Sequence, residues 1–390
     1  MTDKNKIAIE ARENCNAPGG PAPRTRRCVM TSIGAVMAMG SLAYAPAGCA
    51  QGDDKRFRDR IRQRIGERGE VKLPTMPDDL PTDRIAAARA KPGPFDVLEL
   101  DGVWTDPARG GRAVPWRAYL PKDKNAAPLA IFSHGGGGTR DSGRQYGEHL
   151  ASHGLGSFHV QHVGSDRDAF RNDRQKIARA VNDPALAAVR FEDIGFVTRQ
   201  FRESGGEQST LINATVLGIY GHSFGAITTL VAAGQSLEGF GQQFSQREFK
   251  GAVALSPSPP RPGFGESETA FRDMLMPILH ITGTEDHAPN GDFDAAARKI
   301  PFEQISNVDQ FFVNLRGANH FTFGGNPKPQ LGRMDFSYPG LARHHDLIKA
   351  AMLAFFQWTL AGDDEARGFL DRQYERLLGP GDEIVAKPAA

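Results

Sequence analysis

The chain has 390 residues, 39% of them hydrophobic, and a formal net charge of +1 at pH 7. That is enough apolar content for a sizeable core, and the balanced, dispersed charge excludes the electrostatic footprint of a nucleic-acid or membrane-surface binder. Cys15, Cys28 and Cys49 are the three cysteines, so past residue 49 neither a disulfide framework nor a cysteine nucleophile is available.

In chain order, the first predicted element is an export signal over residues 1–49. In "TRRCVMTSIGAVMAMGSLAYAPAGCA", Arg26 and Arg27 precede a Gly/Ala/Met-rich run that ends in small residues, the order of a twin-arginine signal peptide. Cleavage fits after Ala47, or ahead of Cys49, which would then carry a lipid and tether the protein to a membrane. The apolar run barely reaches the ~18 to 20 residues of a span. The expected locations are therefore the periplasm, the cell envelope or the exterior. Residues 50–94, first charged ("QGDDKRFRDRIRQRIGERGE") and then proline-rich ("LPTMPDDLPTD"), read as a solvated tether. Acidic residues interleave with the arginines, against a nucleic-acid patch.

A single domain is expected over residues 95–380, with 381–390 as a tail. "FDVLELDGVW" and "VPWRAYLP" predict paired antiparallel strands at one edge, with a turn around Arg109 and Arg112. "APLAIFSHGGGG", "GLGSFHVQH", "TVLGIYGHS", "KGAVALSP", "MPILHITG" and "QFFVNLRG" follow. Most are nearly continuous apolar runs, as strands buried on both faces must be, and helical stretches separate most of them. The fold class is thus α/β, with a mostly parallel central sheet and helices on both faces. Ligands of such sheets bind beyond the carboxyl ends of the strands. The aromatic stripe of "HHDLIKAAMLAFFQWTLAGDDEARGFLDRQYERLL" reads as core packing.

"TVLGIYGHSFGAITTLVAAG" runs from a strand through Gly221-His222-Ser223-Phe224-Gly225 into a helix. So sharp a turn strains the serine backbone, and Gly221 and Gly225 lack the Cβ atoms that would collide across it. An exposed hydroxyl at a helix N-terminus results, with the Phe224 N–H aimed at any oxyanion formed there. Such a serine suits a nucleophile but needs a base and an orienting acid. "MPILHITGTEDHAPNG" carries Glu285 and Asp286 just after a strand, and "VNLRGANHFTFGG" carries His320 after the next. Serine, acid, histidine is a known triad order. Asp286 is preferred to Glu285 as the later of the two in the loop, with Asp292 and Asp294 as fallbacks. His222 is locked beside the nucleophile and is expected to pack or to line the pocket; His344 and His345 read as surface or packing residues. The glycines of "IFSHGGGGTRDS" let backbone approach a ligand, so an N–H of this loop can complete an oxyanion hole with Phe224. No Lys-Ser/Thr pair follows, as a phosphate-cradling loop requires. With no metal-ligand cluster or dinucleotide fingerprint, no cofactor and no metal is expected.

Taken together, "FSHGGGG", "LASHGLGSFHVQHVGSD", "VRFEDIGFV", "GHSFGAITTLVAAG", "HITGTEDHAP", "GANHFTF" and "FFQWTLAGDDEA" resemble the bacterial dienelactone-hydrolase-like branch of the α/β hydrolases. That branch includes proteins similar to platelet-activating-factor acetylhydrolase and to chlorophyllase-type and cutinase-like esterases. The resemblance covers about residues 95–375. It implies an α/β-hydrolase fold, Ser223 as nucleophile, His320 as base, Asp286 as acid and backbone N–H groups of Gly136 and Phe224 as oxyanion hole. It also places a histidine at His162, against reading His159 and His162 as a metal pair. Two departures stand out: true dienelactone hydrolases use a cysteine where this chain has Ser223, and the acetylhydrolases carry their acid where it has Ser256. The implied activity is hydrolysis of a small-molecule carboxylic ester. Acyl transfer, peptidase action or a silent binding module of the same fold are the rivals. The stretch between Ser223 and Asp286 leaves little room for a large lid, so an open pocket walled by "FGESETAF" and "FTFGGNPKPQLGRMDF" is expected.

Overall fold

A computed structural model describes residues 84–203, 211–266, 269–331 and 334–390. The expected signal peptide, with Cys49, and most of the expected tether lie outside these residues.

The described chain opens on a short helix, α1 (Arg84–Ala88), whose Ala86 is buried with Ala90 in the main core. The packed body therefore reaches back into the segment expected to be tether. Strands β1 (Val97–Asp106) and β2 (Arg112–Pro121) form the antiparallel edge hairpin. Pro107–Arg109 forms a single 3-10 turn between them, and Gly110 and Gly111, both at positive φ, reverse the chain. Then come β3 (Ala127–Ser133), α2 (Arg144–Ser152), β4 (Gly156–Val160), α3 (Arg167–Asn172), α4 (Arg174–Asn182) and α5 (Pro184–Glu203). The centre of the sheet is β5 (Ile212–His222), followed by α6 (Phe224–Ala232), β6 (Phe249–Leu255), β7 (Ile278–Glu285), α7 (Ile300–Gln304) and β8 (Gln310–Asn319). A two-residue ribbon of β9 (Gln330–Leu331) and β10 (Met334–Asp335) precedes α8 (Leu341–Ala361), α9 (Asp364–Arg372) and β11 (Glu383–Lys387).

The main sheet has the order β1-β2-β4-β3-β5-β6-β7-β8-β11. Every pair from β4 through β8 is parallel; β1, β2 and β11 join antiparallel at the two edges. Residues 381–390 thus do not form a free tail, because Glu383–Lys387 pairs along β8 from Asn314 to Gln310 and covers its edge.

Alternation along the strands builds two cores. Phe132, Tyr220, Leu255, Ile281 and Val313 face α2, α8 and α9. Ile131, Ile219, Ala254 and Ile278 face Ile194 and Val197 of α5 and Leu230 of α6. The apolar runs are continuous because both faces are covered. α3 and α4, inserted between β4 and α5, lie against the glycine-rich loop, where Ile177 and Phe170 stand so close to Gly136 and Gly137 that a Cβ on either glycine would crowd them. Phe264 and Phe271 of the expected pocket wall are instead buried in the cores.

Candidate active site

Ser223 sits between the end of β5 and α6 with φ 57° and ψ −114°, a conformation that costs a non-glycine residue energy unless its surroundings enforce it. They do. A Cβ at Gly221 would lie 2.3 Å from the Gly225 carbonyl oxygen, and one at Gly225 would lie 1.8 Å from that of Ser133. Only glycines let the turn pass this close to β3. The Ser223 N–H donates to the Leu255 carbonyl at 3.0 Å and ties the turn to β6.

Three residues remote in sequence meet here. His320 Nε2 lies 2.9 Å from Ser223 Oγ, and His320 Nδ1 lies 2.8 Å from Asp286 Oδ1. Asp286 is fully buried and accepts from Ser256 Oγ at Oδ1 and from Thr282 Oγ1 at Oδ2, both at 2.9 Å. Ser256, at the end of β6, therefore sits beside the carboxylate that follows the neighbouring strand β7. Glu285 is half-exposed and 3.6 Å from His287; Asp292 and Asp294 are exposed, Asp292 bonding Asn290 and Asp294 accepting from the Ala297 N–H.

Burial opposes ionisation of Asp286, but the Arg298 guanidinium and the His320 and Ser256 hydrogen bonds outweigh it and hold the carboxyl down at about 2. For His320, burial lowers the pKa, the Asp286 hydrogen bond and charge oppose that, and Arg298 adds to the lowering. The imidazole is thus neutral at pH 7 and available as a base.

Arg298 escaped the sequence analysis. It is buried, with Nη2 3.2 Å from Asp286 Oδ1. Its Nε donates to the Asp286 carbonyl at 3.0 Å, and its Nη1 donates to the carbonyls of Ser256 at 3.1 Å and Pro257 at 2.9 Å. One guanidinium thereby fastens the acid loop to the end of β6.

The histidine loop is braced from behind. His222 Nε2 donates to the His320 carbonyl at 2.9 Å, and burial followed by the nearby His320 charge pushes its pKa to about 3. A neutral ring spent on that carbonyl is a brace and not a base for Ser223. Tyr338 connects Thr322 Oγ1 (2.8 Å) to His344 Nδ1 (2.6 Å), and His345 Nε2 donates to the Thr322 carbonyl at 3.0 Å. The two α8 histidines are buried and anchor the loop. From the second expected wall, Phe321 and Phe336 stack at 3.9 Å beside His320.

Among the described residues, the N–H groups of Gly136 and Phe224 have no hydrogen-bond acceptor. Gly137 N–H, by contrast, is spent on the Ser165 carbonyl at 2.8 Å and Gly138 N–H on that of Gly135 at 3.0 Å. Two cavities, of about 490 Å³ beside His153 and Phe369 and about 410 Å³ beside Arg109 and Phe244, include neither Ser223 nor His320 in their lining. His159 and His162 belong to different hydrogen-bond networks, the first to Ser157 and Tyr220, the second to Ser133 and Asp193.

A mostly parallel sheet covered on both faces, with a strained serine at the sharp turn after its central strand, defines the α/β-hydrolase fold. No family model matches the chain. It is similar to two proteins of Thermobifida alba, cutinase est1, 26% identical over 246 residues, and cutinase est2, 26% identical over 245. The alignments span 62% of this chain and 68% and 67% of the respective relatives. This likeness supports an ester-hydrolysing serine hydrolase.

Proposed function

We propose that the chain is an exported serine esterase, of the dienelactone-hydrolase-like branch that its motifs resemble, cleaving small carboxylic esters through Ser223, His320 and Asp286. The observation that carries this reading is the hydrogen-bonded series Ser223 Oγ, His320 Nε2, His320 Nδ1, Asp286 Oδ1. Its polarity follows from the acceptor-only carboxylate: Asp286 takes the Nδ1–H, which leaves Nε2 as the acceptor facing the serine hydroxyl.

Ser223 Oγ attacks the ester carbonyl while its proton passes to His320 Nε2. Asp286 keeps the ring in the required tautomer and stabilises the imidazolium. The oxyanion is met by the N–H groups of Gly136 and Phe224, which have no other acceptor among the described residues. The imidazolium then protonates the departing alcohol, and water, deprotonated by His320, releases the acid from Ser223. The acyl and alcohol preferences belong to the pocket walls, and the short stretch between Ser223 and Asp286, which leaves little room for a large lid, favours short or exposed esters.

The test is Ser223→Ala in a p-nitrophenyl ester assay paired with fluorophosphonate labelling. Turnover should fall by about 10⁴ or more, and labelling should vanish with it. Undiminished turnover in the variant contradicts the assignment. Acyl transfer to an added alcohol, if it exceeds hydrolysis, would favour the acyltransferase alternative.

A further inference from the structure

Behind the glycine loop lies a second buried polar cluster that the reaction above does not use: Ser133, His162 and Asp193, all fully buried, with Arg190 at their centre. Ser133 Oγ is 2.9 Å from His162 Nε2, and His162 Nδ1 is 3.1 Å from Asp193 Oδ2. The order serine, histidine, aspartate repeats that of the exposed site, but this serine is sealed from solvent and cannot meet a substrate.

Its protons can be placed. Arg190 Nη2 donates to Ser133 Oγ at 3.0 Å, so the Ser133 hydroxyl is free to donate to His162 Nε2, and His162 donates from Nδ1 to Asp193. Burial, reinforced by the Arg190 charge, lowers the His162 pKa to about 4 and keeps that tautomer neutral. Asp193 in turn takes Arg112 Nε at 2.7 Å and Nη2 at 2.8 Å, and lies 2.8 Å from Arg109 Nη1. Burial lowers the pKa of Arg190 to about 9, and Asp193 is also the nearby negative charge that favours its charged form.

A buried guanidinium without a directly bonded carboxylate is costly unless its donors are all placed. Those of Arg190 are divided between two elements. Nη2 also donates to the His134 carbonyl, immediately before the glycines, and Nη1 donates to Ser165 Oγ at 2.7 Å. On the other side Nε donates to Thr228 Oγ1 at 3.3 Å, Thr228 Oγ1 donates to the Phe224 carbonyl at 3.0 Å, and the guanidinium carbon lies 4.3 Å from the Phe224 ring centroid. The same planar group thus grips the root of the glycine loop and the first turn of α6. These are the two segments that carry the unpaired N–H groups of Gly136 and Phe224.

We propose that Arg190 is the positioning residue of the oxyanion hole, holding the loop of Gly136 and the helix start at Phe224 at the separation that lets both N–H groups reach one oxygen. This inference rests on the ester-hydrolase reading. Donors displaced by about 1 Å lose roughly 10²-fold in rate, and the loss falls on the tetrahedral state because the ground-state carbonyl makes weaker use of the hole.

The experiment compares the parent with Arg190→Met and Arg190→Lys, with rates normalised to Ser223 titrated by a fluorophosphonate so that only correctly folded enzyme is counted. For R190M we expect kcat to fall about 10- to 100-fold with KM within about threefold. The Ki of a trifluoromethyl ketone, whose adduct on Ser223 carries the oxyanion, should rise by the same factor as kcat/KM falls. R190K, which keeps the charge but loses the planar fork, should lie between. Turnover within about threefold of the parent, a change confined to KM, or a fall in kcat without a matching rise in Ki overturns the proposal. If R190M does not fold, R190K is judged by the same criteria. Failure of the parent itself to hydrolyse esters would refute the hydrolase reading, whereas normal turnover in the variants refutes only this inference.

Discussion

Arg298 places a cation against the proposed acid and the proposed base at once, with Nη2 near both Asp286 Oδ1 (3.2 Å) and His320 Nδ1 (3.1 Å). Among the described residues, Asp286, Arg298 and His222 are the ionisable side chains in contact with the His320 ring. Asp286 favours the imidazolium, Arg298 disfavours it, and His222 stays neutral. Removing Arg298 therefore raises the His320 pKa, which shrinks the neutral-base fraction on the acid side. In Arg298→Met the acidic limb of kcat/KM should move to higher pH, as read from a pH–rate profile. A limb that moved to lower pH or stayed fixed would contradict this role. Neither Arg298 nor Arg190 takes a role from the sequence alone, although Arg190 lies within "VRFEDIGFV", because only tertiary packing buries each guanidinium.

At the scale of elements, the strand-turn-helix around Ser223 works because β5, α6 and β3 approach within contact that only glycine permits. Gly225→Ala would drive a methyl into the Ser133 carbonyl, and neither backbone can yield without moving Arg190 and the glycine loop. We expect a destabilisation of several kcal/mol, in the range of severe overpacking, and at least a 10²-fold loss of kcat/KM in whatever folds. Urea titration and ester assay measure the two. A near-parental variant would mean that the turn does not depend on that close approach. This element could be read from sequence because its requirements are local. The bracing of the His320 loop by Tyr338, His344 and His345 could not, since it joins a loop to a later helix through side chains with no shared motif.

For the whole molecule, the histidines set the response to acid. Burial holds His149, His159 and His280 at about 3 and His344 and His345 at about 4. In the unfolded chain each takes up a proton near pH ~6.5. The unfolded state therefore binds more protons as pH falls from ~6.5 toward 4. Stability is fully present above that window and is lost within it, at about 1.4 kcal/mol per pH unit for each histidine that stays neutral. Urea unfolding between pH 7.5 and 5 should show a slope worth more than two protons, and a flat profile would contradict the burial of these rings.

The α/β class, the parallel run of strands, the edge hairpin and the chain order that carries Ser223, Asp286 and His320 to one rim were legible in the residues alone, because they follow from local hydrophobic period and turn chemistry. Tertiary structure alone decided that Phe264 and Phe271 belong to the cores, that residues 383–387 close the sheet, and that Arg190 and Arg298 are buried close to Ser223 and His320. Those outcomes depend on which side of the sheet a side chain meets and on whether a remote charge or carbonyl is there to satisfy it. Neither condition is written in any single stretch of residues.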